Sequence, residues 1–189
     1  MNHIIEEGEC KGQSLAFWLS MGKEGQDLLA YADYALGSQI TEATLNHIIP
    51  EGPNKGQSVA FWLAGIPAGQ ALLSHGNPSL GSQIDTETLN QVIEEGPIKG
   101  LSVALWLAGS SGGQALLAHD DFALGSQITA GTLNQVIEEG PAKGVSVALW
   151  LARSLGGQAL LAHGNPSLGS QITARTLNQV IEEGKFKGL

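Results

Sequence analysis

The chain has one cysteine, two arginines and few aromatic residues, and these scarcities exclude several classes of protein. Cys10 alone cannot form an internal disulfide, so we expect a reducing compartment: the cytoplasm, or a host cytoplasm into which the chain is delivered. Nine Lys and Arg residues stand against 18 Asp and Glu, and the formal net charge is −9. Such a chain repels phosphate backbones and anionic lipid, so we expect no nucleic acid and no membrane as partner.

Long apolar segments are also lacking. No run approaches the roughly 20 residues that a membrane span needs. The N-terminus, MNHIIEEGEC, has neither the basic stretch nor the apolar segment of a signal peptide. Hydrophobic residues nevertheless make up 42% of the chain, which is enough to form a core.

Repetition dominates what is present. The phrase GQSVAFWLA at 56–64 returns as GLSVALWLA at 100–108 and as GVSVALWLA at 144–152, always 44 residues later. Residues 12–20 carry a fourth copy, GQSLAFWLS. The sequence therefore predicts a single repeat domain over 1–189, divided into four repeats and a stub: 1–44, 45–88, 89–132, 133–176 and 177–189.

A slower alternation is superposed on this period. Repeats 1 and 3 contain DYALGSQIT and DFALGSQIT, whereas repeats 2 and 4 share HGNPSLGSQI. Near-identical copies need similar neighbours, which a linear stack provides and a single globular core does not. The predicted fold is all-α: an α-solenoid of four 44-residue three-helix repeats plus a C-terminal helical stub.

Three helices are predicted in each repeat. Helix A covers IDTETLNQVIEEG, Ile84 to Gly96, with Asp85 as N-cap and apolar residues at helical spacing. Helix B begins after the cap Ser102 and is apolar on all sides, which predicts burial. Helix C is the short segment QALLAH, 114–119, which needs neighbouring repeats for stability. We expect each tryptophan of helix B to be buried between adjacent repeats: Trp18, Trp62, Trp106 and Trp150.

Half of each repeat resembles a known family. The run GQSVAFWLA followed by GQALLSHG resembles the ankyrin pattern Gly-x-Thr-Pro-Leu-His-x-Ala-Ala, which precedes a helix with paired leucines. The matching residues are Ser58, Ala64, Leu72, Leu73 and Gly76. Val59 replaces the proline, Phe61 replaces the histidine, and 44 residues exceed the usual length of about 33. The chain is also similar to tandem-repeat proteins among effectors of intracellular bacteria, and the resemblance implies an ankyrin-like helical stack.

Repeated polar residues offer several kinds of site. The histidine columns could bind metal or sense pH, but stacked copies lie about 8–10 Å apart, so residues that satisfy helix-terminal carbonyls are the preferred interpretation. These columns are His75, His119 and His163, and His3 with His47. The asparagine column predicts side-chain hydrogen bonds to adjacent repeats, with plain exposure as the alternative: Asn2, Asn46, Asn90, Asn134 and Asn178.

Each repeat also carries a glutamate followed four residues later by a lysine, as in Glu95 and Lys99. A glycosidase pair needs unlike carboxylate environments, which repetition does not give, so we favour a solvated charged edge. No calcium loop or phosphate loop occurs; the SSGG at 110–113 lacks the required lysine. Cys10 has no repeated acid–base partner. We therefore expect no catalytic residue, no metal and no cofactor.

Recognition is expected at positions that differ between repeats, because loops on a rigid scaffold usually carry it. The candidate partner-binding residues are Ile98, Asp120, Asp121, Phe122, Ala142, Arg153, Leu155 and Asn165. The leading hypothesis is a non-enzymatic protein-binding scaffold whose partner is another protein. A carbohydrate-binding tryptophan array and a self-assembling repeat protein are alternatives. Repeat 1 is polar, as a terminal cap should be, and an unclosed stub end would allow head-to-tail self-association.

Overall fold

A computed structural model describes residues 1–76, 78–139, 142–164 and 166–179, and of residues 120–122 it describes the backbone only. In these ranges the chain is helical and contains no β-strand, which confirms the all-α class. Two isolated bridges, Gly76 with Ser79 and Gly164 with Ser167, are the extended pairings outside helices. None of the described helices has the length and hydropathy to cross a bilayer.

The chain divides into two compact units, which we call the N-terminal unit (Met1–Gln91) and the C-terminal unit (Val92–Leu189). The helices of the N-terminal unit are α1 (Leu15–Ser20), α2 (Lys23–Tyr34), α3 (Glu42–Leu45), α4 (Val59–Ala64), α5 (Pro67–Ser74) and α6 (Thr86–Asn90). Those of the C-terminal unit are α7 (Val103–Ala108), α8 (Ser111–Phe122), α9 (Ala130–Asn134), α10 (Val147–Ala152), α11 (Leu155–Ala162) and α12 (Ala174–Leu177). Short 3-10 turns precede the copies of helix A: Gly37–Gln39, Gly81–Gln83, Gly125–Gln127 and Leu168–Gln171.

The predicted N-caps are confirmed. Ser102 accepts a hydrogen bond from the backbone N–H of Leu105 at 3.2 Å, so that α7 begins where the sequence predicts. Asp85 accepts from the N–H of Thr88 at 2.7 Å and starts α6. The other copies use serine for helix B and threonine for helix A: Ser14, Ser58, Ser146, Thr41, Thr129 and Thr173.

Helix A is much shorter than predicted. The sequence predicts it over Ile84–Gly96, but α6 spans five residues and the backbone is extended from Gln91 (φ −60°, ψ 122°). The backbone N–H of Ile93 donates instead to the carbonyl of Leu101 at 2.9 Å. β-branched residues favour extended backbone, and this pairing outweighs the helical spacing of the apolar residues.

Each copy continues from helix A into the same closed loop. In one copy Ile93 both donates to Leu101 and accepts from the N–H of Gly100 at 2.8 Å. The equivalent pairs close the other loops: Ile5 with Gln13 and Gly12, Ile49 with Gln57 and Gly56, and Ile137 with Val145 and Gly144. We call these segments, 5–13 and 49–57 in the N-terminal unit and 93–101 and 137–145 in the C-terminal unit, the loop edge of each unit. Paired ends give every copy the same backbone support for different side chains.

Helix C is longer than its predicted six residues. α8 has 12 residues and α5 and α11 have eight. In the even repeats helix C stops before Gly76 and Gly164, whose φ values of 89° and 90° favour glycine. The backbone of α2 leaves the helical region at Tyr31, and Ala32 and Asp33 lie in the left-handed region. The alternating segment therefore sets where helix C ends in the even repeats, and the two odd repeats differ from each other.

The asparagine column forms side-chain hydrogen bonds to the start of the next copy of helix A, and these lie within one repeat of the predicted bounds, whereas the sequence predicted bonds to adjacent repeats. The side-chain amide of Asn46 donates to the carbonyl of Gln83 at 2.7 Å, and its oxygen accepts from the N–H of Asp85 at 3.1 Å. The carbonyl of Asn46 also accepts from the hydroxyl of Thr88. The same arrangement joins Asn2 to Gln39, Thr41 and Thr44, and Asn134 to Gln171, Thr173 and Thr176.

A column of glutamines, which the sequence analysis did not predict, forms hydrogen bonds from helix C to the end of helix B. Gln70 is buried, and its amide donates to the carbonyl of Ala64 at the end of α4, at 2.8 Å. Gln114 binds Ala108 in the same way. The remaining copies are Gln26 with Ser20 and Gln158 with Ala152. These bonds satisfy carbonyls that the end of a helix leaves without intrahelical donors.

Candidate functional site

The loop edge carries an open groove in each unit. In the N-terminal unit, residues 6–11 face residues 51–54 across a groove of about 790 Å3. Gln13 and Trp18 also line it. In the C-terminal unit a groove of about 690 Å3 lies between residues 92–94 and 134–139, with Arg175 at its border. Both have a size that accepts side chains of a partner molecule.

Ion pairs cross these grooves. Lys11 pairs with Glu51 at 2.7 Å, and Lys99 pairs with Glu139 at 3.3 Å. Each lysine therefore contacts a glutamate 40 residues further on, in the next copy of the loop. The side chains are largely exposed. The hydrogen bond and charge of Lys11 lower the pKa of the Glu51 carboxyl below its usual value.

The tryptophans are not hidden as predicted. Trp18 is 50% exposed, and the other three copies are half-buried. A Cβ placed on Gly109 would lie 3.9 Å from Cε2 of Trp150, so this ring does lie against the preceding repeat. The guanidinium of Arg153 covers the same ring, 5.3 Å from its centroid. Small aliphatic residues, rather than the indoles, form the fully buried part of helix B.

Two of these rings also differ in their polar contacts. The indole N–H of Trp62 donates to the side-chain oxygen of Gln57 at 3.0 Å. Gln13 occupies the equivalent position beside Trp18, and it is 3% exposed. Its side-chain oxygen accepts no hydrogen bond among the described residues. Repeats 3 and 4 carry Leu101 and Val145 at this position.

The predicted partner-binding residues lie at several places in the C-terminal unit. Ile98 and Ala142 are half-buried on the loop edge, at equivalent positions of successive loops. Arg153 is exposed at the end of α10, and Leu155, which begins α11, is 86% exposed. Three further candidates end α8, where the backbone alone is described: Asp120, Asp121 and Phe122. Asn165 lies outside the described residues.

These candidates do not form one groove. The C-terminal groove is lined by none of the candidates whose side chains are described. In the N-terminal unit, however, Cys10 and Asn54 occupy the positions of Ile98 and Ala142, and both line the groove there. The variable column that contains Ile98 and Ala142 therefore lines a groove in the N-terminal unit. Glu9 and Gln13, which line the same groove, were not among the predicted residues, whereas Trp18 was named only for the carbohydrate alternative. Glu9 had a signal, since the other repeats have proline at that position: Pro53, Pro97 and Pro141.

The histidines contact protein groups. His75 and His163 lie at the C-caps of α5 and α11. The ring of His75 stacks on Tyr34, with centroids 4.3 Å apart. Burial lowers the pKa of His47 below its usual 6.5, and Nε2 of this ring has no hydrogen-bond partner among the described residues. Within those residues no group of three or more His, Cys, Asp or Glu is arranged to hold a metal ion.

Comparison of the chain with protein-family models, curated proteins and solved structures finds no match. The likeness to ankyrin repeats therefore stays a prediction from the sequence.

Proposed function

We propose that this chain is a non-enzymatic protein-binding scaffold. In this proposal the four 44-residue repeats form an α-solenoid with a C-terminal stub, and the loop edge binds a partner protein. The observation that carries it is the pair of backbone hydrogen bonds that closes each loop of the loop edge in the same way. One tip position within these loops carries a different side chain in every copy: Cys10, Asn54, Ile98 and Ala142. A rigid support with variable tips is the usual arrangement of a recognition surface.

Contacts between copies support the stacked arrangement within each unit. In the N-terminal unit α4 packs on α1 and α5 packs on α2. In the C-terminal unit α10 packs on α7 and α11 packs on α8. A Cβ on Gly37 would lie 2.4 Å from Leu72, and one on Gly125 would lie 2.5 Å from Leu160, so the same leucine fills the same glycine position in both. Repeated contacts of this kind are those of a solenoid.

Site-specific photo-crosslinking tests the scaffold. A benzoylphenylalanine residue is placed at Ile98, Ala142 or Leu155, and at exposed Ser126 as a matched control away from the loop edge. We expect the probes at Ile98 and Ala142 to cross-link one discrete partner protein when the chain is present at micromolar concentration. The probe at Ser126 should cross-link none. The scaffold proposal is rejected if no position yields a cross-linked protein, or if the control yields the same product.

Carbohydrate binding is a second candidate, and the half-exposed ring of Trp18 favours it. Aromatic faces in water stack on sugar rings as they stack on other flat apolar surfaces. A tryptophan-emission titration with oligosaccharides separates the two functions. A saturable change on adding glycans supports the sugar function, and an unchanged spectrum rejects it.

Self-assembly is favoured by two apolar side chains of repeat 1. Leu15 and Leu28 are 58% and 50% exposed, whereas their equivalents Val59 and Leu72 in repeat 2 are at most 2% exposed. In repeat 2 these positions belong to helices that pack on repeat 1. A second copy that covered Leu15 and Leu28 would give head-to-tail association. Light scattering over a range of protein concentrations tests self-assembly, and a monomer mass that stays constant over that range rejects it.

A further inference from the structure

We propose that the groove of the N-terminal unit binds the guanidinium group of an arginine in a partner peptide. This inference rests on the proposed protein-binding function and names the chemistry that one site recognises. The groove is formed by residues 6–11, Gln13, Trp18 and 51–54. Three independent features of these residues select a cation that is flat and rich in hydrogen-bond donors.

The first feature is the buried acceptor of Gln13. This residue lines the groove and is 97% buried, and its side-chain oxygen accepts no hydrogen bond among the described residues. The equivalent oxygen of Gln57 is satisfied by the indole N–H of Trp62 at 3.0 Å. A buried acceptor without a donor costs free energy that a ligand N–H recovers on binding. Repeat 1 thus leaves a buried acceptor of a groove-lining residue without a donor, whereas the equivalent acceptor in repeat 2 has one.

The second feature is charge. The groove carries carboxylates at Glu6, Glu7, Glu9 and Glu51. Lys11 is the one cation among its lining residues, and it pairs with Glu51 at 2.7 Å. The other three carboxylates have no cation among the lining residues to neutralise them. A cationic ligand is therefore attracted, whereas a neutral sugar gains nothing from this surplus.

The third feature is the ring of Trp18, which lines the groove and is 50% exposed. A cation over an indole face is stabilised by the ring quadrupole, and guanidinium stacks better than ammonium. The chain makes such a contact itself, because Arg153 lies 5.3 Å from the ring centroid of Trp150. Guanidinium has five N–H donors, so one group can stack on Trp18 and also donate to Gln13 and a carboxylate.

Fluorescence anisotropy with a labelled peptide tests the assignment on the full chain. The probe is Gly-Leu-Arg-Arg-Leu-Gly, and the matched probe has citrulline, a neutral isostere, in place of both arginines. We expect the arginine peptide to bind at least about tenfold more tightly, because charge-assisted hydrogen bonds and the cation–π contact are lost with citrulline. Its affinity should fall as salt is raised, as expected for exposed carboxylates. Equal binding of both peptides overturns the proposal.

Variants that copy other repeats locate the site. Gln13→Leu and Glu9→Pro install the residues that repeat 3 has as Leu101 and Pro97, so the repeat framework tolerates them. Each should weaken the arginine peptide by about fivefold to tenfold through loss of one charge-assisted interaction. Gln39→Leu is the matched control, since exposed Gln39 lies outside both the groove lining and the loop edge, and it should leave the affinity unchanged. Circular dichroism confirms that each variant is folded.

The outcomes separate this proposal from the scaffold itself. Unchanged affinity in both Gln13→Leu and Glu9→Pro overturns the arginine site, even if photo-crosslinking captures a partner protein. If a neutral oligosaccharide binds and Gln13→Leu abolishes that binding, the groove is a sugar site, and the arginine proposal is overturned. Peptide binding that depends on Gln13 while no position cross-links a protein supports the arginine site and rejects the scaffold at the tested positions.

Discussion

The side-chain amide of Asn46 donates to the carbonyl of Gln83, 37 residues further along the chain, at 2.7 Å. Its oxygen accepts from Asp85, the N-cap of α6. One side chain therefore fixes the start of the next copy of helix A, and with it the loop that follows. The arrangement recurs at Asn2 and Asn134, so the loop edge depends on it in both units.

Asn46→Ala should lower the free energy of unfolding by about 2–3 kcal/mol, because two hydrogen bonds are lost and their backbone partners remain partly buried. Asn178→Ala is the matched control, since that amide donates to Ala174 within its own turn, and it should cost less than about 1 kcal/mol. Urea denaturation followed by circular dichroism measures both. Equal losses would show that the contact between copies contributes nothing beyond a local turn.

Gly125→Ala should destabilise the C-terminal unit by about 1–3 kcal/mol, as overpacking does. The added Cβ would lie 2.5 Å from Leu160 and 2.8 Å from the carbonyl of Leu117. Gly131→Ala, within α9, meets ordinary contacts at 3.7 Å and should be neutral or stabilise by up to about 1 kcal/mol. Thermal unfolding of the two variants side by side checks the difference, and a tolerated Gly125→Ala would contradict the tight packing of α11 on α8.

The stability of the N-terminal unit should fall as the pH drops below about 6.5, the ordinary pKa of histidine. Burial lowers the pKa of His47, so the unfolded chain binds a proton there before the folded chain does, and the proton favours unfolding. Above pH 6.5 His47 is neutral in both the folded and the unfolded state, so its contribution to the free energy of unfolding no longer changes with pH. His47→Gln, the residue present as Gln91 and Gln135, should flatten this part of the profile. Denaturation midpoints between pH 5 and 8 measure it, and an unchanged slope in the variant would assign the pH dependence to other groups.

Lys11→Gln should raise the pKa of the Glu51 carboxyl toward its ordinary value, since Lys11 is the hydrogen-bond partner and the charge that lower it. The titration is followed by NMR of the glutamate side chains. Because the pair is exposed, we expect no resolvable change in unfolding free energy at physiological salt. A Glu51 pKa that does not move on substitution would mean that the two side chains do not pair in solution.

Trp18→Phe should remove most of the acrylamide-accessible, red-shifted part of the tryptophan emission, because Trp18 is the most exposed of the four rings. Trp62→Phe is the matched control, since that indole is half-buried and bonded to Gln57. Stern–Volmer plots of acrylamide quenching measure the accessible emission that each variant loses. A greater loss of quenching in Trp62→Phe would mean that the Trp62 ring is the more exposed of the two in solution.

Much of the local structure is predictable because its causes are local. Ser102 and Asp85 cap the helices that the sequence assigns to them, since a cap needs a side-chain oxygen and a free N–H three residues later. That the asparagines hydrogen-bond in a repeated way was predictable, because a strict period brings equivalent residues to equivalent neighbours, but their partners lie in the same repeat and not in the adjacent one as predicted. The predicted length of helix A was wrong, because the cause that ends this helix is not local to it. The spacing of Leu89 and Ile93 suits a helix, but a pairing between Ile93 and Leu101 that no periodicity reveals holds the backbone extended.

The candidate partner-binding residues stay a prediction. The column of Ile98 and Ala142 was chosen for its variability, yet the groove that uses this column is lined by Cys10 and Asn54. Sequence comparison between repeats shows that Glu9 replaces proline, but it does not show that Gln13 lacks the donor that Gln57 has. That difference depends on where one indole ring lies.

The sequence by itself determined the period, the helical class and the caps, because each follows from residue spacing or from bonds within one turn. Tertiary structure alone decided which lysine pairs with which glutamate, where helix A stops and how far each tryptophan is exposed. The lysine pairing depends on atoms 40 residues apart that meet at hydrogen-bond distance, as Lys11 and Glu51 do, and helix A stops where Ile93 pairs with Leu101 beyond its own turn. Side-chain placement across copies has no signature in the order of the residues.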